Sequence, residues 1–457
     1  MIQDQTAKRL AEFITGLRYE DIPGKTLEKA KQFVLDIVRL AVLCSELPWG
    51  QRTRDVFAQI GGKEESTLLG FGDRLPAINA AYVNGTTAHG LENDDTHVGA
   101  INHPGVAVVP AVLAVAEREA LGGTELLRAM IVGYEVMIRL GVALQPSLMR
   151  DRGFHCTSVM GHFGAAAGAA NLLGLSAEQT AHALAYAAAY ASGLHNYTYG
   201  GMIKHLHAGK AAKGGVEAAL LAAAGLTGPR RIFEGKNAFC NAYAEHYNVD
   251  AITAGLGEEW RTLEVHLKPH CTSRHIQSSI EAAAIIASEH DLHPSSVASI
   301  EVRTSPEGQS VLSTVAPVDV FEVLASIPFA VATALFKGGS RTLKEFVLFE
   351  DLMKARENPE VRSLAERTHV LPDSDFSYTK GDSEVTIQLK DGKTHTRRVD
   401  IIHGSPENPF TAQEVYDRFV AQAGSVLPRE RMVEAADLIY RLEAVKDVKE
   451  VTRMLQR

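Results

Sequence analysis

Apolar residues recur at helical spacing through most of the first 265 positions of the chain. In KTLEKAKQFVLDIVRLAVLC they fall three and four apart, on one face of a helix. VAVVPAVLAVAEREALGG and TELLRAMIVGYEVMIRLGVAL repeat the pattern on either side of Gly122-Gly123. MGHFGAAAGAANLLGL, SAEQTAHALAYAAAYASGL and AGKAAKGGVEAALLAAAGL predict three more helices, and Ser176 with Gln179 forms a capping-box pattern at the second of these. Such density of Ala and Gly lets helix backbones approach closely, so burial on several sides is expected. The tracts share no fixed period, which argues against a solenoid.

Near residue 266 the texture changes. VASIEVRTSP alternates Ile300, Val302 and Thr304 against Glu301 and Arg303, the pattern of a half-buried strand. SEVTIQLKDGKTHTRRVDI predicts a strand, an Asp391-Gly392 turn and a second strand. SSIEAAAIIASEH and LASIPFAVATALFKGG read as helices between them. After GSPENP the chain returns to helix, with Thr411 and Glu414 boxing the start. The order helix, mixed, helix predicts a mainly α protein with an α+β part. A helical domain spans 1–265, a smaller α+β domain spans 266–403, and the tail 404–457 is free to rejoin the first.

A chain of 457 residues, 46% hydrophobic and 22% charged, is ordinary for a globular protein and long enough for more than one core. The net charge of −9, from 55 acidic and 46 basic residues, opposes a general nucleic-acid role. It also gives no global attraction for anions, so an anion site must be built locally. Cys44, Cys156, Cys240 and Cys271 stand far apart and form no CxxC, against a zinc ribbon or a sequence-clustered iron–sulfur site. Reduced thiols in a cytoplasm fit this usage. The N-terminus lacks a signal-peptide apolar region, and the Ala-rich tracts are broken by His, Asn, Glu and Lys, so no membrane span is expected.

Polar groups gather at five places. HGLENDDTHVGAINHPG carries Glu92, Asp94, Asp95, Thr96, His97 and His103. GFHCTS carries His155 and Cys156 ahead of a helix. GGMIKHLHAGKAAKGG carries Lys204, His205, His207 and Lys210. LKPHCTSRHIQSS carries Lys268, His270, Arg274 and His275, and KGGSRT carries Arg341. Taken singly, each has an ordinary structural explanation: Asp-Asp-Thr caps turns, and His103 before Pro104 is simply held extended. Taken together, loops rich in His and Lys that precede apolar helices make an anion pocket. Carboxylates beside that pocket can tune a histidine into an acid or base. A metal hydrolase using His89, Asp94, Asp95, His97 and His103 is the alternative from another enzyme class.

Four motifs occur in order along nearly the whole chain: NGTTAHGLENDDTHVGAINHPG, GFHCTSVMGHFGAAAGAANLLGL, KHLHAGKAAKGGVEAALLAAAGLTGP and KPHCTSRHIQSSIEAA. They resemble the MmgE/PrpD family, which includes 2-methylcitrate dehydratases, cis-aconitate decarboxylases and an iminodisuccinate epimerase. The resemblance implies a homodimer, a large helical domain built from both chain ends, a smaller α+β domain, and a site between them that needs no metal or cofactor. It places the family's Asp-x-Asp-Asp-Thr run on Glu92, Asp94, Asp95 and Thr96, its His-Pro histidine on His103 and its glycine-flanked lysine on Lys204. The histidine opening the next helix falls on His275, with His270 a near competitor.

Catalytic roles are accordingly expected of His103, Lys204, His275, Glu92 and Thr96. Substrate contacts are expected of Asp94, Asp95, His97, His155, Lys268, His270 and Arg274. Four departures mark this chain: Glu92 for the usual Asp, Asn93 for a usual aromatic, Phe329 for Tyr, and Gln277 for a second His. The implied activity is that of a cofactor-independent lyase on a small di- or tricarboxylate. A 2-methylcitrate dehydratase-like hydro-lyase comes first, with decarboxylation of cis-aconitate or epimerisation of a polycarboxylate as alternatives.

Overall fold

Glycine decides how closely the central helices cross. On helix Ile203–Ala223, a Cβ added at Gly209 would lie 2.2 Å from the Tyr82 carbonyl oxygen, and one at Gly85 would lie 2.9 Å from Gly209 Cα. The two helices therefore meet backbone to backbone. On its other sides Ile203–Ala223 packs against Cys156–Leu172 and Ala177–Tyr190, and Gly123–Leu144 with Pro104–Arg118 completes the layer. The computed structural model describes residues 4–338 and 346–457. Arg341, a candidate in the sequence, lies outside the described residues.

Two apolar clusters form. The larger draws side chains from Ala7 to Leu267, and from Phe410 to Leu455 in the tail. Helices Ala412–Ala423 and Arg429–Tyr440 pack on Gly24–Leu43. The smaller cluster runs from Cys271 to Ile402, and is joined by Leu40, Cys44, Trp49 and Leu91 from the first part of the chain. Cys44 and Leu91 thus sit under the junction where the candidate residues collect.

The sheet beside the smaller cluster has four strands in the order Thr368–Pro372, Val297–Thr304, Ser383–Leu389, Thr394–Val399. The predicted hairpin is present, antiparallel, with Gly392 N donating to Leu389 O across the turn. Ile300, Val302, Val385 and Ile387 are buried, and helix Gln277–His290 covers the sheet. Both predicted capping boxes form, at Ser176 and at Thr411.

The sequence reading differs from the structure in three elements. A short helix that was not predicted, Val320–Leu324, precedes a second, Ile327–Lys337, which is the one expected over LASIPFAVATALFKGG. Ser326 caps the second by accepting from Phe329 N at 3.1 Å, and Pro328 sits in its first turn. Edge strand Thr368–Pro372 pairs in parallel with Val297–Thr304 and was not predicted. Its short run includes an exposed Leu371 and ends in proline, so no alternation marks it. A two-stranded ribbon, Ser66–Thr67 with Arg74–Leu75, interrupts the helical region.

Gly209→Ala is expected to lower stability by about 1–3 kcal/mol, the cost of overpacking a site that cannot yield. Chemical denaturation of the two proteins side by side checks this. Equal midpoints would show that the helices can separate.

Candidate active site

The loop between helices Ala77–Ala88 and Pro104–Arg118 is held in a tight, buried form. Glu92 and Ile101 adopt left-handed backbone, φ 51 and 49, costly for non-glycine residues and typical of segments fixed by their surroundings. Backbone pairing ties Thr96 to His266, with Thr96 N donating to His266 O at 2.9 Å and His266 N to Thr96 O at 2.8 Å. Asp95 secures the loop's far end, accepting from Gly105 N at 3.0 Å and from the Tyr134 hydroxyl at 2.7 Å. Burial pushes its carboxyl well above the usual range, against the pull of the Tyr134 bond.

Asp94 is the centre of this loop. Its Oδ2 lies 2.9 Å from His103 Nδ1 and 3.1 Å from His89 Nδ1. Its Oδ1 lies 3.7 Å from Lys268 Nζ, and both side chains are fully buried. Burial would raise this carboxyl, but Lys268, His103 and His89 together hold it well below the ordinary carboxylate range. His103 Nδ1 also lies 2.8 Å from the Asp95 carbonyl oxygen, with Thr96 Oγ1 3.0 Å away. That edge of the ring is committed, which leaves Nε2 for the cavity. Burial lowers the His103 pKa; Asp94 opposes the shift and Lys268 adds to it.

Lys204 arrives from the first turn of Ile203–Ala223. Gly200, four residues earlier, holds φ 99, a backbone conformation that favours glycine. Lys204 pairs with Glu92, and its ammonium stands over the rings of Tyr197 at 5.2 Å and Phe321 at 5.5 Å. Burial works to raise Glu92, but Lys204, then Lys268 and His89, hold it far below its usual value.

Segment 268–276 closes the other side. Arg274 donates from Nη2 to Lys380 O at 2.9 Å, while its buried Nε and Nη1 have no acceptor among the described residues. Burial lowers its pKa to about 10, so it stays charged at neutral pH. His275 stacks on Tyr378 at 3.7 Å with rings 10° apart. Burial, then Arg274, brings its pKa down to about 3, so it is neutral at working pH. His155, also pushed well below its usual value by burial, meets His207 Nδ1 to Nδ1 at 2.9 Å.

A cavity of about 550 Å³ receives Glu92, Thr96, His103, His155, Lys204, Arg274 and His275. Five other candidates do not line it. Asp94, Asp95 and Lys268 stand behind His103 as described. His97 turns to Glu264 at 2.9 Å and accepts from Ala100 N at 3.0 Å, which closes the loop on itself. His270 accepts from Val347 N at 3.0 Å and lines a separate cavity of about 420 Å³. Of the two competing histidines, His275 alone reaches the main cavity. Of the five groups of the metal-hydrolase alternative, His89, Asp94 and His103 meet, while Asp95 turns to Gly105 and Tyr134 and His97 turns to Glu264. Among the described residues no three His, Cys, Asp or Glu side chains are arranged to hold a metal ion.

The MmgE/PrpD N-terminal domain model matches residues 8–251 and the MmgE/PrpD C-terminal domain model matches residues 270–442. The chain belongs to the MmgE/PrpD family. Its relatives include the cis-aconitate decarboxylase of Aspergillus terreus, 26% identical over 98% of this chain and 95% of that protein. The cis-aconitate decarboxylase of Mus musculus is 28% identical over 100% of this chain and 94% of its own, and that of Homo sapiens 28% over 100% and 95%.

In this MmgE/PrpD chain, sequence reasoning missed Tyr197, Phe321 and Tyr378, which line the cavity with the residues above. Tyr197 could have been suspected, because HNYTYGG is an aromatic run ahead of the glycines before Lys204. Phe321 and Tyr378 carry no local signal. They reach the cavity only through folding of the 297–399 region.

Glu92→Gln removes the counter-charge of a largely buried lysine and is expected to cost about 3 kcal/mol or more. Adding Lys204→Met is expected to restore part of that loss, and a denaturation double-mutant cycle reads the coupling. Additive losses would show that the two side chains do not depend on each other.

Proposed function

We propose that this protein is a cofactor-independent lyase that decarboxylates a cis-aconitate-like polycarboxylate. The observation that supports it most is one cavity holding a guanidinium with two unpartnered nitrogens among the described residues, a lysine and a histidine whose other edge is tied to a carboxylate, in a chain aligned end to end with relatives named cis-aconitate decarboxylase. These relatives favour the decarboxylase alternative over the 2-methylcitrate dehydratase expectation.

In the reaction a carboxylate leaves as CO₂. The electron pair of the broken carbon–carbon bond enters the conjugated frame, and one carbon takes up a proton. Arg274 and Lys204 hold the carboxylates that remain, so charge that develops next to them is stabilised where it forms. His103 delivers the proton from Nε2, with Asp94 holding the ring and its Nδ1 proton. Neutral His275, braced on Tyr378, donates a hydrogen bond to the substrate. Dehydration is the second reading, because His103 and His275 face one cavity and dehydration needs both an acid and a base. In either reading we infer a homodimer in a cytoplasmic setting. The four cysteines are free, and among the described residues no helix is long and apolar enough to cross a membrane. Light scattering at micromolar concentration is expected to give twice the 49.4 kDa chain mass.

The sign of the pH profile separates the two reactions. The folded pKa of His103 lies below its ordinary 6.5, so its protonated form is lost as pH rises through that lower value. A rate that needs His103 as acid therefore falls with pH above it, whereas a rate that needs it as base rises. With cis-aconitate, CO₂ release is expected to show the falling limb. His103→Gln is expected to cut turnover roughly a hundredfold and to abolish the limb. Dehydration of 2-methylcitrate with cis-aconitate left untouched would replace the first reading by the second.

A further inference from the structure

Two backbone segments from distant parts of the chain face each other across the cavity, 92–96 and 268–275. One backbone bridge, Thr96 to His266, ties the first to the residues just ahead of the second. Three further side chains, none of which lines the cavity, do the rest. Asn93, between Glu92 and Asp94, is fully buried and donates from Nδ2 to Lys268 O at 2.9 Å and to His270 O at 2.9 Å. Gln277 opens helix Gln277–His290 and binds the same residue, His270. Its Oε1 accepts from His270 N at 3.0 Å, and its Nε2 donates to His270 O at 3.1 Å and Thr272 O at 3.0 Å. Arg418, from tail helix Ala412–Ala423, donates to Lys268 O at 2.7 Å and also to Asn93 Oδ1.

The two amides share one acceptor, the His270 carbonyl. Asn93 ties that carbonyl to the loop that carries Glu92 and Asp94. Gln277 ties it to the helix that follows His275. A primary amide offers donors and an acceptor in one plane, so it fixes direction as well as distance. Without them the buried Lys268 and His270 carbonyls lose bonds in a place water does not replace, and a shift of the segment is the relief available.

We propose that Asn93, Gln277 and Arg418 are positioning residues, which fix the 268–275 segment against the 92–96 loop and so set the gap between His103 with Lys204 and Arg274 with His275. They touch no substrate. Their effect falls on the alignment of groups during reaction, where a misplacement of about 1 Å from a distant mutation can cost up to roughly a hundredfold in rate.

The kinetic part of the test rests on the lyase reading, and the exchange part does not. Asn93→Ala and Gln277→Ala are each expected to lower kcat on cis-aconitate by about tenfold or more, with KM changed by less than about threefold. The double variant is expected to fall short of the product of the two, because both act on one peptide. Asn93→Asp keeps an acceptor for Arg418 but loses both amide donors, so it is expected to match Asn93→Ala rather than wild type. Arg139→Gln is the control. That guanidinium is equally buried and binds Glu135 and the Gly255 and Glu259 carbonyls away from the cavity. It is expected to lower the melting temperature and leave kcat alone.

Amide hydrogen exchange of 92–96 and 268–275 is followed in the same proteins. It is expected to quicken by about tenfold or more in Asn93→Ala and Gln277→Ala and not in Arg139→Gln. If wild type turns over no di- or tricarboxylate, the lyase reading fails and the exchange result alone decides the positioning role. Unchanged exchange in either segment, or wild-type kcat in both single variants, overturns the proposal.

Discussion

A carboxylate with no access to water has to be paired, and Asp94 is such a carboxylate. It is fully buried, and two imidazoles meet on its Oδ2 while Lys268 stands beside its Oδ1. Removing any one of these partners would leave charge in a low-dielectric interior at a cost of several kcal/mol. The requirement reaches well beyond the loop. It explains why Lys268 is buried outright, why segment 268–275 must return to the first part of the chain, and why His103 presents only one nitrogen to the cavity. The strained backbone at Glu92 and Ile101 is then the local cost of bringing the loop's polar groups to their partners.

The helical layer supplies the rigidity this arrangement needs. Helices that cross at Gly85 and Gly209 meet backbone to backbone at that point, which leaves little room to repack. The candidate groups sit in loops and first turns at the helix ends, where backbone is free to turn and side chains from several elements can meet. Lys204 stands in such a first turn, and His103 and His155 occupy N-cap positions at helix starts.

Much of this was legible in the residues. Periodicity gave the long helices, and Ser176, Gln179, Thr411 and Glu414 gave two starts, because caps and apolar stripes are local properties. The hairpin at Asp391-Gly392 was legible for the same reason. The strand at Thr368–Pro372 was not, since an edge strand that pairs in parallel depends on a partner far away in sequence. The site divides along the same line. Motifs picked out Glu92, Thr96, His103, His155, Lys204, Arg274 and His275, and these share the cavity. The same motifs marked His97 and His270, whose rings turn to Glu264 and to Val347, because spacing cannot say which way a ring points. Tyr378 was invisible until folding laid it on His275.

The pairing of Lys204 with Glu92 also sets a threshold for what enters. In the free protein this cation is already answered, so a chloride ion or a simple monocarboxylate gains little by displacing Glu92. A molecule with several carboxylates can engage Arg274 first and compete for Lys204 second, the later contact made at the high local concentration that the earlier one creates. The pair thereby makes the number of charges on an entering anion count.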